Sequence, residues 1–286
     1  MIRITKPLHL VDIETGETIV VPTGSNVNLP DELRKKKTIL QEKEKNTASE
    51  EWFSKNCGDF FWKIFSNNQY KISGRLFVEI LYLISYLGYD TNILFIKGKP
   101  MRKKDVQKIM NSYGKNYYLF WSKVLETGII KETEDLSLAV LPEYKKGLLK
   151  SEGLSATKVF IQPLRQLYKN LSATDLSYLA YAYRLIPHTN VYYNIICKNP
   201  FEFETEKINP MSFREICEIL GANVKNQSRI SKKMRSITFI DKNGKEKYIV
   251  YMTGGRRKNV YINPQLFSSC IKADNLVEME KRFEVK

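Results

Sequence analysis

Laid over itself at an offset of 110 residues, the chain repeats: KPMRKKDVQKIM (99–110) falls on NPMSFREICEIL (209–220). Pro100 aligns with Pro210, Met101 with Met211, Asp105 with Glu215, Val106 with Ile216, Ile109 with Ile219 and Met110 with Leu220. In both copies the apolar positions recur at i, i+3 and i+4, the spacing of one helix face. The register continues without a gap through glycine-containing turns, NSYGKN and GANVKN, then a second helix, then Ile129-Ile130 beside Phe239-Ile240. Upstream, at an offset of 98, LFVEILYLISYLGYDTN (76–92) matches TDLSYLAYAYRLIPHTN (174–190), another amphipathic helix. The twelve extra residues lie between Asn190 and Pro210. Downstream, LAVLPEY (138–144) lies over VYINPQL (260–266), each a short alternating strand stopped by proline. Such a repeat constrains the fold strongly, since one packing scheme must serve both copies.

Each copy therefore reads helix, helix, turn, helix, strand pair. That order is expected of a winged helix-turn-helix, whose third helix is offered to the major groove while a hairpin wing touches the flanking backbone. The predicted fold class is mainly α with small β-hairpins (α+β), built as two tandem winged helix-turn-helix domains. The first winged-helix domain is expected over 51–150 and the second over 151–286. Residues 1–50 are expected to hold an N-terminal hairpin, HLVDIETGETIVVP, turning at Thr15-Gly16, and a charged helix or linker over 31–51. Trp52, Phe53, Phe60, Phe61, Trp62 and Phe65 read as the start of the first core or as an oligomer contact, and the terminal ADNLVEMEKRFEVK as an amphipathic cap.

Charge separates the copies. The chain carries 46 Lys/Arg against 31 Asp/Glu, a net +15 that favours a polyanionic partner. Residues 211–260 hold twelve Lys/Arg and four acids, more than half of that excess. On a helical wheel, NVKNQSRISKKMRSITF places Ile230, Met234 and Ile237 on a packing stripe. Lys225, Arg229, Lys232, Lys233 and Ser236 form the opposite stripe, with Asn226, Gln227 and Ser228 at the leading end, where base edges are usually met. The following TGGRRKNVYINPQLF sets Arg256, Arg257 and Lys258 behind Gly254-Gly255, a pair suited to a turn of positive φ, so these cations are expected to reach phosphates or a minor groove. In the first copy the outward positions are Lys115, Leu119, Ser122, Lys123 and Glu126, with Asn116 beside them, and its wing carries Glu132, Glu134 and Asp135, which repel phosphate. Lys115, Asn116 and Lys123 are thus auxiliary contacts, and the first copy is assigned to dimerisation or an accessory DNA contact.

Other function classes lack their parts. The two histidines and four scattered cysteines, without any C-x-x-C pair, offer little to a metal and fit reduced, buried thiols. Phosphate-binding glycine loops and a nucleophile elbow are missing, so neither cofactor nor catalysis is expected. The longest apolar stretch, Leu76 to Leu87, is too short and too interrupted to span a bilayer. MIRITKPLHL has no apolar signal core, so a cytoplasmic, nucleoid- or plasmid-associated setting is expected.

The paired units, the DIETGE hairpin and a second wing closing on NVYINPQLF resemble the replication initiator proteins of plasmids and related phages of Gram-positive bacteria, over roughly residues 75–270. The resemblance implies non-enzymatic, sequence-specific binding of double-stranded DNA at origin repeats and recruitment of host replication proteins. The acidic first wing departs from a reader with two DNA-gripping units and suggests a homodimer through that copy. Two rival readings stay open: a winged-helix repressor of a mobile element using the same surface, and a protein-interaction adaptor that inhibits a host system.

Overall fold

In the computed structural model, residues 2–3, 8–11, 18–21, 26–27, 48–64, 72–147, 149, 156–254, 259–269 and 273–285 are described. Two compact units emerge, Met1–Ala48 and Ser49–Lys286. In the first, β1 (Ile2–Arg3) pairs antiparallel with β4 (Asn26–Val27), and β2 (Leu8–Val11) with β3 (Thr18–Val21), in register from Leu8 opposite Val21 to Val11 opposite Thr18.

The larger unit begins with helical residues 49–56 (α1) and strand β5 (Phe60–Ile64). The first copy of the repeat follows: α2 (Gly74–Ile84), the hairpin β6 (Phe95–Ile96) and β7 (Lys99–Pro100), α3 (Lys103–Met110), α4 (Gly114–Glu126), then β8 (Ile130–Glu132) paired with β9 (Leu138–Val140). Strands β10 (Tyr144–Lys145) and β11 (Ala156–Phe160) and helix α5 (Ile161–Asn170) lead into the second copy. There α6 (Ala173–Arg184), α7 (Phe213–Ile219) and α8 (Gln227–Ser236) are followed by β12 (Thr238–Ile240) paired with β13 (Glu246–Tyr248), and β14 (Val250–Met252) paired with β15 (Val260–Ile262). Strand β16 (Phe267–Ser268) and helix α9 (Ala273–Arg282) close the chain.

The repeat is legible in individual hydrogen bonds. The Met101 amide donates to the Leu94 carbonyl at 2.7 Å, and the Met211 amide to that of Ile196 at 3.1 Å. Tyr144 donates to Leu141 at 3.0 Å, and Leu266 to Asn263 at 2.9 Å. Ile93 bridges Ala139 on β9 just as Ile195 bridges Tyr261 on β15. Besides the twelve residues added between Asn190 and Pro210, the second copy carries an extra hairpin. Where the first passes from α4 straight into β8–β9, the second inserts the hairpin β12–β13 before the equivalent pair β14–β15.

A four-stranded antiparallel sheet, ordered β10-β5-β11-β16, ties the copies together. Strands β5 and β10 flank the first copy and β11 and β16 flank the second, and the two pairs meet along β5 and β11. Lys158 on β11 is buried, with its ammonium 5.1 Å from the Phe60 ring centre and 5.3 Å from that of Trp62, so these two aromatics of the run serve this junction. Strands thus carry more of the architecture than a mainly helical reading allows: the chain mixes helices with small antiparallel sheets. One hydrophobic core, from Phe61 to Phe267, runs through residues of both 51–150 and 151–286. A second cluster gathers Phe53, Cys57 and Phe160 under Leu276 and Met279 of α9, which is where the amphipathic tail docks.

Candidate nucleic-acid interface

Helix α7 is set by a capping box: the Ser212 hydroxyl accepts from the Glu215 amide at 3.3 Å, and the Glu215 carboxylate accepts from the Ser212 amide at 2.8 Å. The Lys198 ammonium lies 2.5 Å from the same carboxylate. Hydrogen bonding to Lys198, then to Ser212, lowers the Glu215 carboxyl from the usual 4.5 to about 2. Gly221, with φ of 64°, turns the chain. The Asn223 side chain then accepts from the Lys225 amide at 2.9 Å and starts the 3-10 turn Val224–Asn226 that runs into α8.

Ile230 and Met234 on α8, and Ile237 just beyond it, are buried, and the Ser231 hydroxyl donates to the Met252 sulfur on β14. The helix is thereby fixed in rotation. Lys225, Gln227, Ser228, Arg229, Lys232, Lys233, Arg235 and Ser236 are exposed, and Asn226 is half-buried. Lys233 is partly committed, its ammonium 3.1 Å from Asp175 on α6, whose own carboxyl is held low by the Ser172 hydroxyl and then by Lys233. Lys225, Arg229, Lys232 and Arg235 make no ion pair among the described residues. Arg235 belongs with these cations, although the wheel's principal stripe passes it by.

The structure trims the basic surplus of 211–260. Lys247 is 1% exposed and lies 3.5 Å from Glu280 and 3.1 Å from Glu284. Lys245 lies 3.7 Å from Glu284, and Lys242 donates to the Ser54 carbonyl at 3.0 Å. The Asp241–Lys245 turn of β12–β13 therefore docks on α1 and the chain end. Its partners are distant in sequence, so composition alone counts these lysines as free. Arg214 is paired with Glu218 at 3.1 Å.

The hairpin β14–β15 is closed at its tip end by Thr253: its amide donates to the Asn259 carbonyl at 3.0 Å, and its hydroxyl accepts from the Asn259 amide at 2.9 Å. Gly254 is exposed with open space around it, and its own φ lies outside the left-handed region. Gly255, Arg256, Arg257 and Lys258 lie outside the described residues.

In the first copy Lys115, Asn116 and Lys123 are exposed on α4. Asn116 and Lys123 line a cleft of about 540 Å³ with Arg75, Glu79 and Tyr168. Burial raises the Glu79 carboxyl, against the pull of Arg75 at 2.8 Å and the Lys123 charge. Around these polar groups α4 exposes Tyr118 (62%) and Leu119 (52%), with Tyr113 just before it (60%). Glu132, Glu134 and Asp135 are exposed on the β8–β9 hairpin, so the acidic character expected of this element reaches solvent.

Among the described residues no three His, Cys, Asp or Glu side chains gather to hold a metal, and no helix is long and apolar enough to cross a membrane. Cys57, Cys197 and Cys217 are buried free thiols, each raised by desolvation; Cys270 lies outside the described residues. Compared with known protein families, curated proteins and solved structures, the chain matches none.

Proposed function

We propose that the protein is a non-enzymatic, sequence-specific double-stranded-DNA-binding protein whose two repeated units are winged helices. In this reading α8 enters the major groove and β14–β15 is the wing. The observation that carries it is Arg229 and Lys232 on α8, a helix locked by Ile230 and Met234, together with Lys225 in the 3-10 turn that leads into it, all three exposed and unpaired among the described residues. A solvated helix face usually interleaves acids to make i, i+4 pairs, as Arg214–Glu218 and Arg282–Glu278 do here. On α8 no acid is present. Gln227, Ser228 and Arg229 at its start supply hydrogen-bonding groups suited to base edges, and the cations further along suit phosphates.

The role we propose is initiation of replication on a plasmid or phage, with origin repeats as the DNA site and host replication proteins as partners. It rests on the resemblance carried by the DIETGE hairpin and NVYINPQLF. The exposed Tyr113, Tyr118 and Leu119 support the first unit as a protein contact, in keeping with a homodimer through that unit. No cofactor enters this account. A repressor of a mobile element would use the same α8 surface, so location separates the two. Selecting duplexes from a random pool and mapping the winner is the test: recurrence in an array at an origin fits the initiator, a single copy over a promoter fits the repressor, and no enrichment at all contradicts both.

A further inference from the structure

Part of the positive charge remaining in the first copy sits neither on α4 nor on its acidic hairpin. The β6–β7 hairpin and the start of α3 surround a cleft of about 570 Å³ lined by Lys97, Lys99, Arg102, Lys104 and Lys108. All five are exposed, and none makes an ion pair among the described residues. Lys97 sits at the hairpin tip with φ of 49°, followed by Gly98 at 76°, so two consecutive left-handed residues form a tight turn that carries a cation at its end.

Two acids line the same cleft, and both are occupied elsewhere. The Asp105 carboxylate accepts from the Arg102 amide at 3.0 Å, completing the cap of α3. Asp135 accepts from the hydroxyls of Thr133 and Ser137 within its own hairpin, and those bonds hold its carboxyl low. Neither makes an ion pair with a lysine of the cleft among the described residues. The second copy supplies an internal control. At the offset of 110, Lys99, Arg102, Lys104 and Lys108 correspond to Asn209, Ser212, Arg214 and Glu218, and Arg214 and Glu218 neutralise each other. The same shoulder of the repeat is therefore cationic in one copy and balanced in the other, the reverse of the pattern on α4 and α8.

We infer that the β6–β7 hairpin and the start of α3 form a second, sequence-independent contact with nucleic-acid phosphates, through Lys97, Lys99, Arg102, Lys104 and Lys108. Long lysine stems on a hairpin and an adjoining helix track a strand of phosphates and read no base. The inference rests on the duplex-binding reading above and adds a place where the first copy grips the backbone while α8 reads sequence.

The test uses the full chain with Lys99, Arg102 and Lys104 replaced together by Ala, titrated with the selected duplex and an unrelated duplex of equal length over a range of salt. Each phosphate contact contributes about 0.9 to the slope of log affinity against log salt, so the slope should fall by roughly 2 to 3, with equal loss on both duplexes. The charge-preserving set Lys99→Arg, Arg102→Lys and Lys104→Arg should restore both, which separates charge from folding. Wild-type binding that is steep in salt, with unchanged slope in the alanine set, overturns the shoulder and leaves α8 standing. A loss confined to the selected duplex also overturns it. A wild-type chain that binds neither duplex removes the α8 reading and the shoulder together.

Discussion

Along α8 and the 3-10 turn that leads into it the outward positions are Lys225, Arg229, Lys232 and Ser236; 110 residues earlier, along α4, they are Lys115, Leu119, Ser122 and Glu126. Both helices stand third in the repeat and bury their opposite faces, α4 through Tyr117, Trp121 and Val124, α8 through Ile230 and Met234. The scaffold is shared and the outward chemistry is not. A duplicated unit needs its packing residues twice but its binding residues once, so the face free of packing duty is where the copies diverge. Cations on α8 suit a polyanion; tyrosine and leucine on α4 suit a protein surface.

The largest expected effect separates cations that anchor from cations that bind. Lys247→Ala should destabilise the fold by about 2 to 4 kcal/mol, since it empties the space of a side chain only 1% exposed and removes its bonds to Glu280 and Glu284. Denaturant unfolding measures the loss, and the salt slope of duplex binding in the folded fraction should not move. If Lys247→Ala left stability intact, the distinction between tied and free lysines would fail.

Arg229→Ala should cost on the order of 1 to 3 kcal/mol on the selected duplex and relax its sequence preference, while Arg257→Ala should weaken all duplexes alike. Competition against single-base variants of the site reads the difference. Lys115→Ala, at the matching place on α4, should have a smaller effect, and an equal loss there would mean that both third helices grip DNA. The converse exchange, Leu119→Arg, should raise affinity for unrelated duplexes by only about tenfold or less, because one added cation contributes a single phosphate contact.

The smallest effect concerns the support beneath α8. Glu215 caps α7 with its carboxyl lowered from 4.5 to about 2. A lowered folded-state pKa contributes stability that is complete above the unfolded value and is lost as pH falls through the folded one. Thermal unfolding should therefore show the wild type losing stability between about pH 4.5 and pH 2 relative to Glu215→Gln, which lacks that titration.

Much of the fold was legible because the repeat is written in local patterns. Helices α3 and α7, and α4 with the 3-10 turn leading into α8, fall at the offset of 110, and Ile230, Met234 and Ile237 are buried as the wheel requires. The four-stranded sheet was not legible. Its central strands, 60–64 and 156–160, come from different copies, and the aromatics of the first read equally well as any buried run. The commitment of Lys233 to Asp175 and of Lys247 to Glu284 depends on partners 58 and 37 residues away, which no local charge count can see. The cationic shoulder was missed for a related reason: its lysines alternate between a hairpin and a helix, so neither periodicity collects them.

The contrast between α4 and α8 is tested most directly by the salt dependence of duplex binding for two matched variants of the full chain. One replaces Lys225, Arg229 and Lys232 by Ala; the other replaces Lys115, Leu119 and Ser122. The first should lose affinity for the selected duplex, with its slope reduced by roughly 2 to 3, while the second keeps affinity and slope within about one contact of the wild type. Equal losses in both, or none in the first, would contradict the account.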